Sequence, residues 1–328
     1  MTLTIFKKAM TTLLLGLGLT CHASADEKLP IVASFSILGD LVSQVGGEHI
    51  ELTTLVKENG DAHVYSPTPK DVQAVRNAKV LVTNGLNFEG WVPRLLESSH
   101  FEGATIVAST GVQGIEVGEE HEEYDHDTHE HEEHDHDAHE HEEHNHDAHG
   151  HHHEGTDPHA WHSIDNVKIY IQNIEKGLSK IDPRNAADYQ KNAQAYLSKL
   201  EKLDVELHAK IDSIPETQRK VITPHEAFTY FSREFNVEFI APQGTSTESE
   251  ASAADMAAII KQIRSENIKA VFMENISDNR IVEQISQETD AVIGGKLFTG
   301  ALSETGGDAP TYIEMMRYNV STIASALK

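Results

Sequence analysis

The sequence predicts an α/β protein with two lobes, each a parallel sheet flanked by helices, that are joined by a long rigid helix. Short apolar runs alternate with helical stretches in both halves of the 328-residue chain. Apolar strands bracketed by helices are typical of parallel sheets that are covered on both faces. Between the halves, residues 185–213 carry apolar side chains at alternating steps of four and three and contain no glycine, which predicts one stiff helix.

The individual elements follow from these runs in chain order. In the first half, the predicted strands are residues 31–35, 50–56, 80–83 and 105–108, and the predicted helices are residues 37–45, 69–77 and 91–98. In the second half, the predicted strands are residues 220–223, 237–241, 270–274 and 291–294, and the predicted helices are residues 225–235, 253–265, 279–289 and 309–326. The central helix lies between Pro183 and Pro215. It would be roughly 43 Å long at ~1.5 Å per residue.

The first 25 residues are typical of an export signal. Lys7 and Lys8 precede an apolar run over residues 9–19, and Ala-Ser-Ala at residues 23–25 forms a cleavage site. The alternative is a lipoprotein anchored at Cys21, but Gly18 stands where such a signal would carry leucine. We therefore predict a signal peptide over residues 1–25 and a mature protein exported to the periplasm. It is divided into an N-terminal lobe (26–165), linking helices (166–215) and a C-terminal lobe (216–328).

The composition excludes several classes of protein. Acidic residues outnumber Lys and Arg by 53 to 26, for a formal charge of −27, whereas a nucleic-acid partner would require a basic surface. The single cysteine excludes an intrachain disulfide and a cysteine-based zinc ribbon. The 22 histidines are the unusual feature, and they direct attention to metal chemistry.

Residues 119–154 form an acidic, His-rich tract inside the predicted N-terminal lobe. Three ten-residue repeats begin at His121, His131 and His141, and the tract holds 14 His and 16 acidic residues with no Lys or Arg. The tract has too few apolar residues for their burial to offset the chain entropy that is lost on folding. It is therefore predicted to be a disordered loop. A solvating linker is one interpretation; the other is metal collection, because imidazoles bind zinc, copper and nickel. The candidate ligands are His121, His126, His129, His131, His134, His136, His139, His141, His144, His146, His149, His151, His152 and His153.

Three further histidines stand in predicted loops. His159 follows Pro158, and His225 follows Pro224 at the end of a predicted strand. His63 precedes a turn that contains Pro67 and Pro69. Ligands gather at the carboxyl ends of strands in parallel α/β sheets, so a site between two such sheets could draw one ligand from each loop. Each histidine taken singly could equally be a hydrogen-bonded structural residue.

Taken together, these loops make the sequence resemble the metal-specific substrate-binding proteins of bacterial ABC transporters, in particular the zinc-uptake branch. The resemblance covers the whole mature chain. The runs that carry it are residues 31–40 (IVASFSILGD), 61–69 (DAHVYSPTP), 83–86 (TNGL), 157–161 (DPHAW) and 225–231 (HEAFTYF). An acidic, His-rich insert ahead of the second ligand loop is also typical of this branch.

The resemblance implies that one Zn²⁺ is held between the lobes by His63, His159 and His225. Histidine at the third position favours zinc, since the manganese relatives carry a carboxylate there, and three imidazoles suit a borderline-soft ion. The sequence departs from the family pattern at Gly300, where relatives often carry aspartate. The candidates for the fourth ligand are therefore water, Glu304, Asp308, His153 and His162.

The implied function is capture of zinc in the periplasm and its delivery, as a monomer, to an ABC-transporter permease in the inner membrane, assisted by the His-rich loop. The alternatives are a zinc metallochaperone or buffer that serves another periplasmic protein, a manganese or iron carrier, and a zinc-dependent hydrolase. For a hydrolase, Glu226 is the candidate base, but no H-E-x-x-H motif is present, so we predict that the chain is not an enzyme. A periplasmic zinc chaperone is a possible second partner.

Overall fold

The structure is a computed structural model that describes residues 27–117, 155–248 and 250–328. The predicted signal peptide, including Cys21, and the whole His-rich tract lie outside the described residues. Among the described residues, no helix has both the length and the apolar character that a membrane crossing requires.

The first lobe is built on a four-stranded parallel sheet. Its strands lie in the order β2-β1-β3-β4, and every neighbouring pair is parallel. The elements are β1 (Leu29–Phe35), α1 (Ser36–Gly46), β2 (Ile50–Val56), α2 (Pro69–Asn77), β3 (Val80–Thr83), α3 (Val92–Ser99) and β4 (Ala104–Val107). The last five residues of β1 are all buried, as expected for a strand that is covered on both faces.

A two-stranded ribbon follows this sheet. The strands β5 (Glu116–Val117) and β6 (Gly155–Thr156) are antiparallel, and Val117 pairs directly with Gly155. Val117 and Gly155, which flank the segment that contains the His-rich tract, therefore lie side by side.

Two long helices, α4 (Ile164–Ile181) and α5 (Ala186–Asp212), connect the lobes. The sequence predicts α5 to within one residue at each end, although Pro183 begins a short 3-10 turn ahead of it. Its buried stripe recurs at steps of three and four residues and consists of Tyr189, Ala193, Tyr196, Leu200, Leu203, Leu207 and Ile211. At ~1.5 Å per residue, this helix is about 40 Å long.

The second lobe repeats the scheme with a parallel sheet in the order β10-β9-β7-β8. Its elements are β7 (Lys220–Ile222), α6 (Thr229–Phe235), β8 (Glu238–Ile240), α7 (Ala253–Glu266), β9 (Ala270–Glu274), α8 (Arg280–Glu288), β10 (Val292–Leu297) and α9 (Tyr312–Ala326). The two parallel sheets, their flanking helices and the long helix confirm the predicted fold class.

Two predicted helices begin later in the structure. The helix predicted over residues 309–326 begins at Tyr312. The helix predicted over residues 225–235 begins only at Thr229. His225 instead forms a parallel bridge with Gln243, and the backbone N–H of Glu226 donates to the carbonyls of Gln243 and Gly244. Sheet-like hydrogen bonds thus hold His225 in extended loop structure and prevent it from entering the helix.

The apolar interior runs through both lobes. One cluster includes Leu81 in the first sheet, Leu203 on α5 and Phe272 in the second sheet. A smaller cluster lies under α7 and α8, with Ile259, Val271 and Ile285 among its members. The main core therefore extends from one sheet to the other through the connecting helices.

Candidate metal centre

Three imidazole rings from three separate loops meet between the lobes. His63 lies between β2 and α2, His159 lies between β6 and α4, and His225 follows β7. Their ring centroids are 5.2, 5.3 and 5.7 Å apart, and one ring nitrogen of each lies within 4.8 Å of the others. The Nε2 atoms of His63 and His159 are 3.2 Å apart. A single ion could contact all three rings in this arrangement.

The loop that carries His63 is held by hydrogen bonds to its backbone. The Oδ1 atom of Asp61 accepts a hydrogen bond from the backbone N–H of His63 at 2.9 Å. The indole N–H of Trp91 donates to the carbonyl of Ala62 at 2.8 Å. Beyond the loop, Thr68 and Asp71 cap α2 reciprocally, which fixes where the helix begins.

His159 is oriented by the residue two positions before it. The Oδ1 atom of Asp157 accepts from the backbone N–H of His159 and also lies 2.8 Å from its Nδ1 atom. The carbonyl of Asp157 in turn accepts from the hydroxyl of Tyr230 in the second lobe. Because Nδ1 faces a carboxylate, the proton of the neutral ring belongs on Nδ1 and the lone pair on Nε2.

His225 is oriented by a carboxylate from a different strand. Its Nδ1 atom contacts Glu274, the last residue of β9, and Glu274 also accepts from the hydroxyl of Ser277. His225 and Glu274 are both almost completely buried. The Nε2 atom of His225 is buried and has no hydrogen-bond partner among the described residues. When the ring is neutral and its proton lies on Nδ1 beside Glu274, Nε2 offers a lone pair to a metal ion.

Burial and neighbouring charge set the protonation of the rings. Burial, together with the nearby His159 and His225, lowers the pKa of His63 to about 2. Burial also lowers the pKa of His159, although Asp157 opposes the change. Burial alone would lower the pKa of His225, but the charge of Glu274, its hydrogen bond to the ring and the charges of Asp61 and Asp157 together raise it, and the net shift is upward. Two of the rings are thus held neutral, the form in which imidazole binds a metal.

The other predicted candidates lie outside this cluster. Glu304 and Asp308 are exposed on the segment between β10 and α9. His162 is fully buried, and neither of its ring nitrogens has a hydrogen-bond partner among the described residues. Gly300 is buried, and a Cβ atom added there would lie 2.7 Å from the Cδ1 atom of Ile276. His153 and the other tract histidines lie outside the described residues.

Sequence reasoning missed the two carboxylates that orient the rings. Asp157 could have been found, because an aspartate two residues before a histidine can accept from its backbone and its ring. The available sequence signal for Glu274 was its position, because it ends a buried strand at the same sheet edge as His225.

Known proteins resemble the chain over nearly its whole length. Residues 31–326 match the family model described as zinc-uptake complex component A, periplasmic. A metal ABC transporter substrate-binding lipoprotein of Streptococcus mutans serotype c is 31% identical over 321 residues, which cover 96% of this chain and 95% of that protein. Other streptococcal relatives, at 29–30% identity, are named as manganese ABC transporter substrate-binding lipoproteins. The named relatives are substrate-binding proteins and not enzymes.

Two solved structures share the architecture. A manganese-bound mutant of a periplasmic metal binding protein from Candidatus Liberibacter asiaticus has a TM-score of 0.76 and 29% identity, and the match covers 92% of this chain and all of that one. The periplasmic zinc binding protein of Treponema pallidum has a TM-score of 0.77 and 26% identity, with 92% and 99% covered.

Proposed function

We propose, from the premise that this chain belongs to the family of periplasmic zinc-uptake component A proteins, that it captures zinc and delivers it to a permease. A member of this family is the periplasmic metal-binding component of an ABC transporter, which acts with an inner-membrane permease and an ATPase. The proposal adds the identity of the metal, its ligands and the role of the His-rich tract.

The observation that carries the proposal is the donor set. Among the described residues, the cluster consists of His63, His159 and His225 and includes no carboxylate. Zinc is borderline-soft and takes three imidazoles readily, whereas manganese prefers oxygen ligands. The manganese named in several relatives therefore does not carry over to this site on chemical grounds.

Zinc would take a fourth ligand from outside the three rings. Water or a small anion is the simplest candidate, because Glu304 and Asp308 are exposed and lie outside the cluster. Asp157 and Glu274 supply negative charge indirectly. Asp157 lies against the Nδ1 atom of His159 and Glu274 against the Nδ1 atom of His225, so each charge acts on the ion through a ligand ring. The site can thus offset part of the charge of zinc without a ligating carboxylate.

We propose that the His-rich tract raises the local zinc concentration beside this site. Its composition supports metal collection, because imidazoles alternate with acids and no Lys or Arg competes with the ion. The residues that flank it support the location. Val117, Gly155 and Thr156 line the same opening, of about 270 Å³, as His63.

Delivery would follow export of the chain to the periplasm and docking of both lobes, residues 26–165 and 216–328, on the permease. We propose cleavage after Ala25, with lipid anchoring at Cys21 as the alternative that the lipoprotein relatives support. Transfer to a soluble periplasmic chaperone would use the same site and differ only in the partner.

Competition calorimetry tests the proposal on a chain that lacks residues 119–154, so that weak sites do not obscure the count. We expect one tight zinc ion per chain, strong preference over manganese, and loss of that ion in His63→Ala, His159→Ala or His225→Ala. The control is His100→Ala, since His100 is exposed and lies outside the cluster. Tighter binding of manganese than of zinc, or retention of the tight zinc ion in each of the three variants, would contradict the proposal.

A further inference from the structure

The carboxylate of Asp61 connects the two lobes beside the candidate metal centre. Its Oδ1 atom accepts from the backbone N–H of His63 at 2.9 Å, within the first lobe. Its Oδ2 atom accepts from the hydroxyl of Thr247 at 2.5 Å. Thr247 lies 186 residues later, in the segment between β8 and α7 of the second lobe. One side chain therefore holds a candidate ligand loop with one oxygen and the opposite lobe with the other.

We propose that Asp61 and Thr247 form a latch that closes the cleft over the bound metal and sets how fast the metal leaves. The inference rests on the proposed function, in that the ion is taken to lie at His63, His159 and His225. Asp61 is in this view a positioning residue for His63 and not a ligand.

The exit route explains why this hydrogen bond would control release. His159 and His225 are completely buried, whereas His63 is only partly buried and lines an opening to the surface. Ser246 and Glu248, on either side of Thr247, line the same opening from the second lobe. An ion that leaves by this route must pass His63 while the segment carrying Thr247 moves away. The bond from Thr247 to Asp61 opposes that movement.

Deeper contacts between the lobes do not serve this purpose. The indole N–H of Trp161 donates to the carbonyl of Thr299, and the hydroxyl of Ser36 accepts from the backbone N–H of Leu302. Both bonds are buried and lie on the segment between β10 and α9, away from the opening. They can persist while the opening widens, so the latch can break without separating the lobes.

The geometry also argues against Asp61 as a fourth ligand. Both of its oxygens already accept hydrogen bonds, and it is not among the residues whose donor atoms converge. Its charge nevertheless reaches the site, since it contributes to the upward shift in the pKa of His225. Asp61 thus adds negative charge near a metal site that has no ligating carboxylate.

The test measures zinc dissociation from the full mature chain after addition of excess chelator. Weakly held ions leave in a fast phase, and the ion at the candidate metal centre leaves in a slow phase. Thr247→Val removes the hydroxyl and keeps the shape of the side chain. We expect it to speed the slow phase about 10-fold, the effect of one hydrogen bond to a charged group, and to raise the association rate as well, because the latch also closes this route in the metal-free chain. The matched control is Thr110→Val, which removes an exposed hydroxyl bond to Val107 within the first lobe and should leave both rates unchanged.

A double-mutant cycle separates a latch from a general structural role. Asp61→Ala should also speed dissociation, and Thr247→Val should have no further effect in the Asp61→Ala background, because the partner is already gone. Additive effects of the two substitutions, or an unchanged slow phase in Thr247→Val, would refute the latch and leave the zinc site intact.

Amide hydrogen exchange of the metal-free chain provides a readout that does not depend on zinc. We expect Thr247→Val to speed exchange in residues 243–248, because the latch holds this segment in the absence of metal as well. If the parent chain held no zinc against the chelator, the proposed function would be wrong. The exchange measurement would then show by itself whether the hydrogen bond between Thr247 and Asp61 holds this segment. Unchanged exchange would refute it.

Discussion

Replacing Glu274 by glutamine should weaken zinc binding by 10- to 100-fold, which corresponds to about 1.4–2.7 kcal/mol. The Glu274 carboxylate contacts the Nδ1 atom of His225 and accepts from the hydroxyl of Ser277, and only 1% of the residue is exposed. Water therefore cannot screen its charge, which makes the His225 ring a stronger donor to a metal. Glutamine keeps the size of the side chain and one acceptor oxygen but removes the charge.

The assay is zinc competition against a chelator of known affinity, with thermal unfolding of the metal-free variant as a check on folding. The matched control is Glu226→Gln, which removes the same charge beside His225 in sequence. Glu226 contacts the carbonyls of Gln243 and Gly244 through its backbone, and no side-chain hydrogen bond joins it to His225 among the described residues. We expect less than a threefold effect in the control. Unchanged affinity in Glu274→Gln, or an equal loss in Glu226→Gln, would refute the reasoning.

Two further predictions concern pH and the His-rich tract. Burial lowers the pKa of His162 to about 3, whereas the unfolded chain has it near 6.5, so the unfolded state binds the proton first and stability falls as the pH drops below 6.5. His162→Phe should reduce the loss of unfolding free energy between pH 7 and pH 5 by about 2 kcal/mol in urea titrations of the metal-free chain, and an unchanged loss would contradict the assignment. Deletion of residues 119–154 should slow zinc acquisition under chelation and preserve the tight site, because His63, His159 and His225 lie outside the deleted stretch. Growth and zinc transfer equal to those of the parent would show that the tract has no such role.

The fold could be predicted where local patterns determine it. The strand over residues 50–56 and the long helix α5 match their predicted bounds to within one residue, because an apolar run and a regular stripe are local signals. The start of α6 could not be predicted, because residues 225–228 are compatible with a helix by composition. The backbone of Glu226 is instead bound by Gln243 and Gly244, which are distant in sequence.

The same distinction between local patterns and contacts of distant residues applies to the candidate site. The convergence of His63, His159 and His225 could be anticipated, since each follows a strand or stands in a stiff loop between lobes. The contact between His225 and Glu274 could not, because it joins residues 49 positions apart through the pairing of two strands. The bond between Asp61 and Thr247 likewise depends on how the lobes face each other.

The apolar core that runs from one sheet to the other has a consequence for the lifetime of the chain. The larger of the two apolar clusters contains residues of both sheets and of the connecting helices, so both lobes are expected to unfold in one cooperative transition. A zinc ion bound between the lobes would stabilise the folded chain by mass action, by about 4 kcal/mol when free zinc exceeds the dissociation constant a thousandfold. Loaded molecules should then resist proteases longer than bare ones, so that the abundance of the carrier follows the supply of its cargo.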